Sequence, residues 1–160
     1  MCGRYTLKTP GERLAKLVGL PGTVRVEPRY NIAPSQSVTA VRVNPEGPER
    51  EVVMLRWGLI PSWATDPSIG NRMINARAET VMTKPAFGPA FRRRRCLVLA
   101  DGFFEWQRLG RTKQPFYIQL QDGAPFGFAG LWECWRGKEG GAVESCTLLT
   151  LSLIHISEPT

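Results

Sequence analysis

The chain has 160 residues, 42% hydrophobic and 22% charged, which is ordinary for one soluble globular domain with a sizeable core. No apolar run is long enough to span a membrane and no charged-then-apolar signal peptide opens the chain, so we expect no membrane partner. Lysine and arginine total 21 against 14 aspartate and glutamate, and the net charge of +7 favours a polyanionic partner, nucleic acid first.

The cysteines and the histidine argue against a metal site. The thiols belong to Cys2, Cys96, Cys134 and Cys146, which form no CxxC pair. A single histidine leaves too few ligands for zinc. We therefore expect no metal, no cofactor and reduced thiols in the cytoplasm, with nucleoid association if the partner is DNA.

The first predicted elements are a strand and a helix. Cys2 to Leu7 is predicted to be a short strand. Pro10 to Leu20 is predicted to be a helix, with Thr9 as its N-cap and Pro10 in its first turn, because its apolar residues have helical spacing. Gly19 and the Pro-Gly pair at 21–22 are expected to end it.

The rest of the chain is predicted to consist mainly of short strands between turns. Residues 29–36 form an extended segment, and residues 71–80 are expected to become helical near Glu79. The predicted strands are 37–43, 51–57, 96–100, the end of 101–106, 115–120, 127–132 and 145–150. This pattern, without a linker or repeat, favours a single β-rich α+β domain with a partly closed antiparallel barrel-like sheet and a few short helices.

Cys2 is the most distinctive position because removal of Met1 would leave it with a free α-amine and a thiol. An amine condenses with an aldehyde to give a Schiff base, and a thiolate is a strong nucleophile. Together they can close a five-membered thiazolidine ring on an aldehyde, which an internal cysteine cannot do. The alternative is that Cys2 is a small apolar residue at the start of a strand.

Four further features have both a functional and a structural interpretation. The arginine run 92–95 is a phosphate-binding patch or a solvated face. Three tryptophans, Trp57, Trp63 and Trp106, stack on bases or belong to the core. Glu105, between two aromatic residues, is a general acid–base or a solvated strand carboxylate. Asn75 orients a reacting group or closes a turn.

Five stretches, in this order, resemble the SOS-response-associated peptidase (SRAP) family of abasic-site processing proteins. They are residues 1–5 (Met-Cys-Gly-Arg-Tyr), 29–34 (Arg-Tyr-Asn-Ile-Ala-Pro), 56–61 (Arg-Trp-Gly-Leu-Ile-Pro), 74–80 (Ile-Asn-Ala-Arg-Ala-Glu-Thr), and 95–97 (Arg-Cys-Leu) with 101–106 (Asp-Gly-Phe-Phe-Glu-Trp).

The resemblance implies a function and roles for particular residues. The family crosslinks covalently to the aldehyde of abasic sites in single-stranded DNA, which protects the lesion during the DNA damage response. It implies that Cys2 forms a thiazolidine, that Asn75 positions the sugar and the N-terminus, and that Glu105 shuttles protons. Contacts to phosphate or base are expected from Arg4, Trp63 and Arg77. It further implies lyase-like Schiff-base chemistry and a peptidase activity seen as removal of Met1, a step that an aminopeptidase explains equally well. We expect a monomer.

The chain departs from the family at its end. The family has a catalytic histidine in an Ile-His-x-Arg-Met-Pro segment, but no Arg-Met-Pro follows His155, so that role is not assigned to it. The string 151–160 also matches a translated transposon-end adapter used in sequencing libraries. We therefore expect an SRAP-like domain at 1–150 that is incomplete at its C-terminus, a non-native tail at 151–160, and poor stability and activity.

Two alternatives remain open at this point. A class II glutamine amidotransferase also begins with Cys-Gly after Met removal and uses the cysteine as a nucleophile, but it does not explain the 56–61 and 101–106 stretches. A noncovalent binding module for single-stranded nucleic acid predicts salt-sensitive binding without a covalent product.

Overall fold

Ten short strands dominate the described part of the chain, residues 2–138 and 140–151 of a computed structural model. None of the helices in these residues has the length and apolar content needed to cross a bilayer. The elements in chain order are β1 (Arg4–Leu7), α1 (Gly11–Val18), β2 (Arg29–Ile32), β3 (Ser37–Val43), β4 (Arg50–Trp57), a 3-10 helix (Pro67–Arg72), β5 (Asn75–Arg77), α2 (Gly88–Arg93), β6 (Arg95–Ala100), β7 (Gly102–Leu109), β8 (Thr112–Ile118), β9 (Phe126–Arg136) and β10 (Ala142–Thr150).

Five of these strands close into a barrel. The order is β4-β3-β6-β9-β10, and β10 then pairs in parallel with β4 through Ser145 opposite Arg56 and Cys146 opposite Trp57. β5 continues the sheet by pairing in parallel with β10, where Asn75 lies opposite Leu148. The predicted β-rich α+β fold with a barrel-like sheet is confirmed, and parallel pairing at the seam makes the barrel closed rather than partly closed.

A second, antiparallel sheet has the order β2-β1-β7-β8 and packs against the barrel. Tyr5 of β1 is fully buried and lies opposite Phe103 of β7. Its ring makes edge-to-face contacts with Trp57 at 5.4 Å and Phe128 at 5.9 Å between centroids. The main core therefore lies between the two sheets, directly behind the N-terminal strand.

Asp101 fixes the corner where the chain passes from the barrel strand β6 to β7. Its buried carboxylate accepts hydrogen bonds from the Thr6 hydroxyl (2.6 Å), the Lys8 amide (2.6 Å), and the amide (2.8 Å) and hydroxyl (2.9 Å) of Thr9. Burial alone would raise the pKa of Asp101, but these hydrogen bonds outweigh it and hold the pKa below its usual value. The carboxylate thus joins β1 and the start of α1 to the barrel.

The same contacts correct two predictions for α1. Thr9 is not the N-cap, because its hydroxyl is committed to Asp101 and Pro10 takes the N-cap position without a side-chain hydrogen bond. The helix is also shorter than predicted. It ends at Val18, and Gly19 with a φ of 66° forms the left-handed cap.

One further prediction is corrected in the middle of the chain. The segment after β5 does not become helical near Glu79, because residues 78–83 form successive turns instead. A short helix forms instead at α2, where Pro89 lies in the first turn and the arginine run begins in the last turn. Residues 152–160, including His155, lie outside the described residues, so the predictions for the tail remain predictions.

Candidate functional site

Cys2 lies immediately before β1 and is buried, with 7% of its surface exposed. Its thiol donates to the carbonyl of Arg4 across 3.7 Å. Burial raises the pKa of Cys2 to about 12; a backbone hydrogen bond at Arg4 opposes the rise, and the charge of Glu105 adds to it. At neutral pH the sulfur is therefore protonated and enclosed rather than a free surface thiolate.

Asn75 holds the backbone of Cys2. It is half-buried at the start of β5, and its Nδ2 donates to the carbonyl of Cys2 at 2.9 Å. Its Oδ1 is buried and accepts no hydrogen bond within residues 2–138 and 140–151. A buried acceptor without a donor costs about 1–3 kcal/mol, so this oxygen is a suitable partner for a group that arrives from outside.

Glu105 approaches the same place from β7. It is half-buried, and its charge acts on the Cys2 thiol, so the two side chains lie within electrostatic range. Phe104 and Trp106 lie on the opposite face of the strand, because side chains alternate along a strand. The aromatic residue across from Glu105 is Phe116 of β8, which the sequence argument missed because only pairing of β7 with β8 identifies it.

The predicted DNA-contact residues occupy three different exposed positions. Arg4 is on β1 and donates to Asn31 Oδ1 at 2.9 Å, a partner that the sequence analysis did not single out. Arg77 is two residues beyond Asn75 on β5, so the two side chains share one face of the strand. Trp63 is 59% exposed beside Arg72, in the connection between β4 and the 3-10 helix.

The other two tryptophans differ in what they can contact. Trp57 is fully buried and its indole donates to the carbonyl of Ile74 at 2.9 Å, so it cannot stack on a base. Instead it fixes the residue that precedes Asn75. Trp106 is 43% exposed and lies beside Phe104, with 6.4 Å between ring centroids.

The structure therefore brings Cys2, Asn75 and Glu105 together from three distant parts of the chain, with Arg4 and Arg77 on the strands beside them. A metal site is not part of this arrangement: the described residues contain no cluster of three or more His, Cys, Asp or Glu side chains able to hold an ion. If Met1 is removed, a cysteine with a free amine, an amide that holds its backbone and a carboxylate within range can perform amine and thiol chemistry on an electrophilic carbon.

Known proteins resemble the chain over nearly its whole length. The abasic site processing protein YoaM of Bacillus subtilis is 43% identical over 154 residues, which cover 94% of this chain and 67% of that protein. The abasic site processing protein YedK of Escherichia coli is 34% identical over 137 residues, covering 82% and 59%. In chicken, the abasic site processing protein HMCES is 32% identical over 162 residues, covering 84% and 48%.

A solved structure and a family match agree with the similarity to these relatives. A crystal structure of a protein from Bacteroides thetaiotaomicron superposes with a TM-score of 0.83 at 26% identity, covering 94% of this chain and 68% of that one. The sequence profile of the SOS response associated peptidase family matches residues 1–155. The chain belongs to the SOS response associated peptidase (SRAP) family.

Proposed function

We propose that this chain, once Met1 is removed, captures abasic sites in single-stranded DNA by forming a thiazolidine through Cys2. The observation that carries the proposal is the hydrogen bond from Asn75 Nδ2 to the Cys2 carbonyl, with the charge of Glu105 acting on the same thiol. The similarity to proteins named as abasic site processing proteins supports a DNA lesion as the substrate.

The reaction is a condensation that needs no cofactor. The Cys2 amine adds to the aldehyde carbon of the ring-opened sugar and gives a carbinolamine, which loses water to form an imine. The sulfur then adds to the imine carbon, and the thiol proton passes to the nitrogen. Nothing is oxidised or reduced. Because burial raises the pKa of Cys2 to about 12, ring closure relies on holding the S–H beside the imine rather than on a standing thiolate.

Glu105 supplies the proton transfers in this scheme. A carboxylic acid within reach of the carbinolamine donates a proton to its hydroxyl group, which then leaves as water, and the carboxylate takes a proton back from the nitrogen. Its half-buried position in β7 keeps part of the side chain out of bulk water.

Asn75 has a positioning role that uses both ends of its amide. Nδ2 fixes the Cys2 carbonyl, and Oδ1 is free to accept a hydrogen bond from the α-amine exposed by Met1 removal or from a sugar hydroxyl. Either donor would satisfy the buried oxygen and orient the amine toward the aldehyde.

The strand of DNA would follow the arginines and the exposed tryptophan. Arg4, oriented by Asn31, and Arg77, on the face of β5 that carries Asn75, supply positive charge for phosphates. Trp63 offers an exposed ring for stacking on an unpaired base. A monomer acting on DNA in the cytoplasm, with Met1 released by the chain itself or by an aminopeptidase, completes the proposal.

One denaturing gel tests the proposal against both alternatives. Single-stranded DNA with an abasic site should give a heat-stable shifted band, and matched DNA without the lesion should give none. A noncovalent binding module gives no shifted band on either DNA, and a glutamine amidotransferase instead releases ammonia from glutamine. Absence of a covalent band under conditions in which mass spectrometry shows that Met1 is removed would contradict the proposal.

A further inference from the structure

A surface groove of about 300 Å³ lies between helix α1 and the outside of the barrel, where β3, β4 and β6 begin or end. We refer to it as the α1 groove. Its walls carry three aliphatic side chains that are largely open to solvent: Leu17 at 44%, Val43 at 57% and Leu97 at 44% exposed. Three such residues around one concavity form an apolar patch that a partner can cover.

The charge at the rim of the α1 groove has one sign. Arg50 and Arg95 line it, and Asp and Glu are absent from its described lining residues. Arg50 is held in place because its Nη1 donates to the carbonyl of Val18 at 2.8 Å. The third arginine, Arg42, is neutralised by Glu51 and Glu144, each with an oxygen 2.6 Å from its guanidinium. Two rim arginines therefore remain to attract anions.

The lining also indicates what kind of anion the α1 groove suits. Sites for single-stranded nucleic acid combine positive charge with aromatic rings on which the bases stack. Every apolar side chain that lines the described part of this groove is aliphatic or a thiol, with Val18, Val41 and Cys96 completing the set. An aliphatic floor with cationic edges is complementary to a peptide that carries a leucine-like side chain between carboxylates.

We infer that the α1 groove docks an acidic, leucine-bearing segment of a partner protein, with the aliphatic side chain among Leu17, Val43 and Leu97 and its carboxylates on Arg50 and Arg95. The groove is remote from the proposed DNA site. Arg50 begins β4 and Trp57 ends it beside Ile74 and Asn75, so the two sites are about 23 Å apart along the strand. A partner can therefore bind while Cys2 holds DNA, and this inference does not depend on the proposed function.

The test is fluorescence anisotropy with the full chain and a short fluorescein-labelled peptide of alternating glutamate and leucine. We expect saturable binding, weakened about tenfold or more when serine replaces the leucines or lysine replaces the glutamates. Arg95→Glu and Leu97→Ser should each weaken binding about tenfold as well. Arg111→Glu, which makes the same charge change in the exposed turn between β7 and β8, should leave it unchanged.

Several results would overturn the inference. The first is the absence of saturable binding. The second is that the glutamate–serine peptide binds as tightly as the glutamate–leucine peptide, and the third is that Arg111→Glu weakens binding as much as Arg95→Glu. The last two results would show that net charge alone drives binding. Displacement of the peptide by a thymidine oligonucleotide would make the groove a nucleic-acid site instead. Circular dichroism checks that each variant is folded, and Leu17→Ser on the surface of α1 replaces Leu97→Ser if the strand position is not tolerated. Crosslinking to abasic DNA should be the same for all groove variants.

Discussion

At the scale of single residues, two polar groups of the candidate site are buried, the thiol of Cys2 and the side-chain oxygen of Asn75. Burial raises the pKa of Cys2, and Asn75 retains a buried oxygen without a donor in the described structure. The unpaired oxygen costs stability, whereas burial of the neutral thiol does not at neutral pH. Such costs are typical of sites that are completed only when a substrate binds, and they make these residues the sharpest points at which to test the proposed chemistry.

Replacing Cys2 should separate the two stages of the proposed reaction. Cys2→Ala is expected to abolish the heat-stable crosslink, and Cys2→Ser to leave at most a reversible Schiff base, because only sulfur closes the stable thiazolidine ring. Denaturing gels with and without borohydride trapping measure both products. Cys134→Ser is the matched control, since this half-buried thiol lies elsewhere on β9. A normal crosslink yield from Cys2→Ala would contradict the mechanism.

Glu105→Gln should slow crosslinking about 10²–10⁴-fold while single-stranded DNA still binds, because the variant keeps the shape of the side chain and loses its proton transfer. Single-turnover kinetics and a separate binding assay distinguish the two effects. Asn75→Ala should slow the same step by releasing the Cys2 backbone. Glu12→Gln, on the exposed surface of α1, serves as control. Lost DNA affinity with an unchanged single-turnover rate would show that Glu105 binds DNA instead.

At the scale of the elements, hydrogen bonds as well as apolar packing hold the strands near the candidate site. Asp101 ties β1 and the residues before α1 to the end of the barrel strand β6, and within the barrel sheet Trp57 of β4 donates to the backbone before β5. These two contacts fix β1, which follows Cys2, and the start of β5, which carries Asn75. The geometry of the site is therefore set by side chains outside it, as expected where catalytic groups must be held closely.

Asp101→Asn should destabilise the fold by about 2–4 kcal/mol at neutral pH, because an amide cannot accept all four of the hydrogen bonds that the carboxylate accepts. The pKa of Asp101 is lowered in the folded chain, so its contribution is present above the ordinary aspartate pKa of about 3.9 and is lost as the pH falls through the folded value. Urea unfolding across pH should show wild type and variant converging in acid. The exposed Asp122→Asn should show no such gap, and a gap independent of pH would contradict the assignment.

At the scale of the whole molecule, closure of the barrel depends on strands far apart in sequence. β10 joins β9, β4 and β5, so the last described strand completes both the barrel and the pairing of the strand that carries Asn75. Near this seam Arg42 of β3 contacts Glu51 of β4 and Glu144 of β10, and its guanidinium lies 4.0 Å from the centre of the Trp132 ring. These ion pairs link β3 to both strands of the seam.

Deleting residues 151–160 should leave the free energy of unfolding unchanged within about 0.5 kcal/mol, because Leu151 is 75% exposed and the pairing of β10 ends at Thr150. Thermal and urea unfolding of the 1–150 and 1–160 chains provide the comparison. His155→Ala should likewise leave crosslinking unchanged, and a large loss of crosslinking in that variant would identify His155 as part of the site. A chain extended with a family C-terminal segment shows whether further strands add stability and activity.

The local pattern of the sequence was enough to predict most strands, the short helix α1 and the β-rich fold. It also singled out Cys2 as the candidate reactive residue, because the chemistry proposed for an N-terminal cysteine depends on one position alone; that role stays a prediction. The family resemblance was inferred from five sequence stretches and their order along the chain, which can be read without knowing any contact. These features are local, and local propensity and spacing determine them.

Only the tertiary structure decided which of the candidate residues meet. It buried Trp57, placed Phe116 across from Glu105, gave the hydroxyl of Thr9 to Asp101, and closed the barrel through β10. The sequence could not determine these outcomes, because each depends on pairing between segments separated by tens of residues. Burial and cross-strand register arise from that long-range pairing, and no local spacing encodes it.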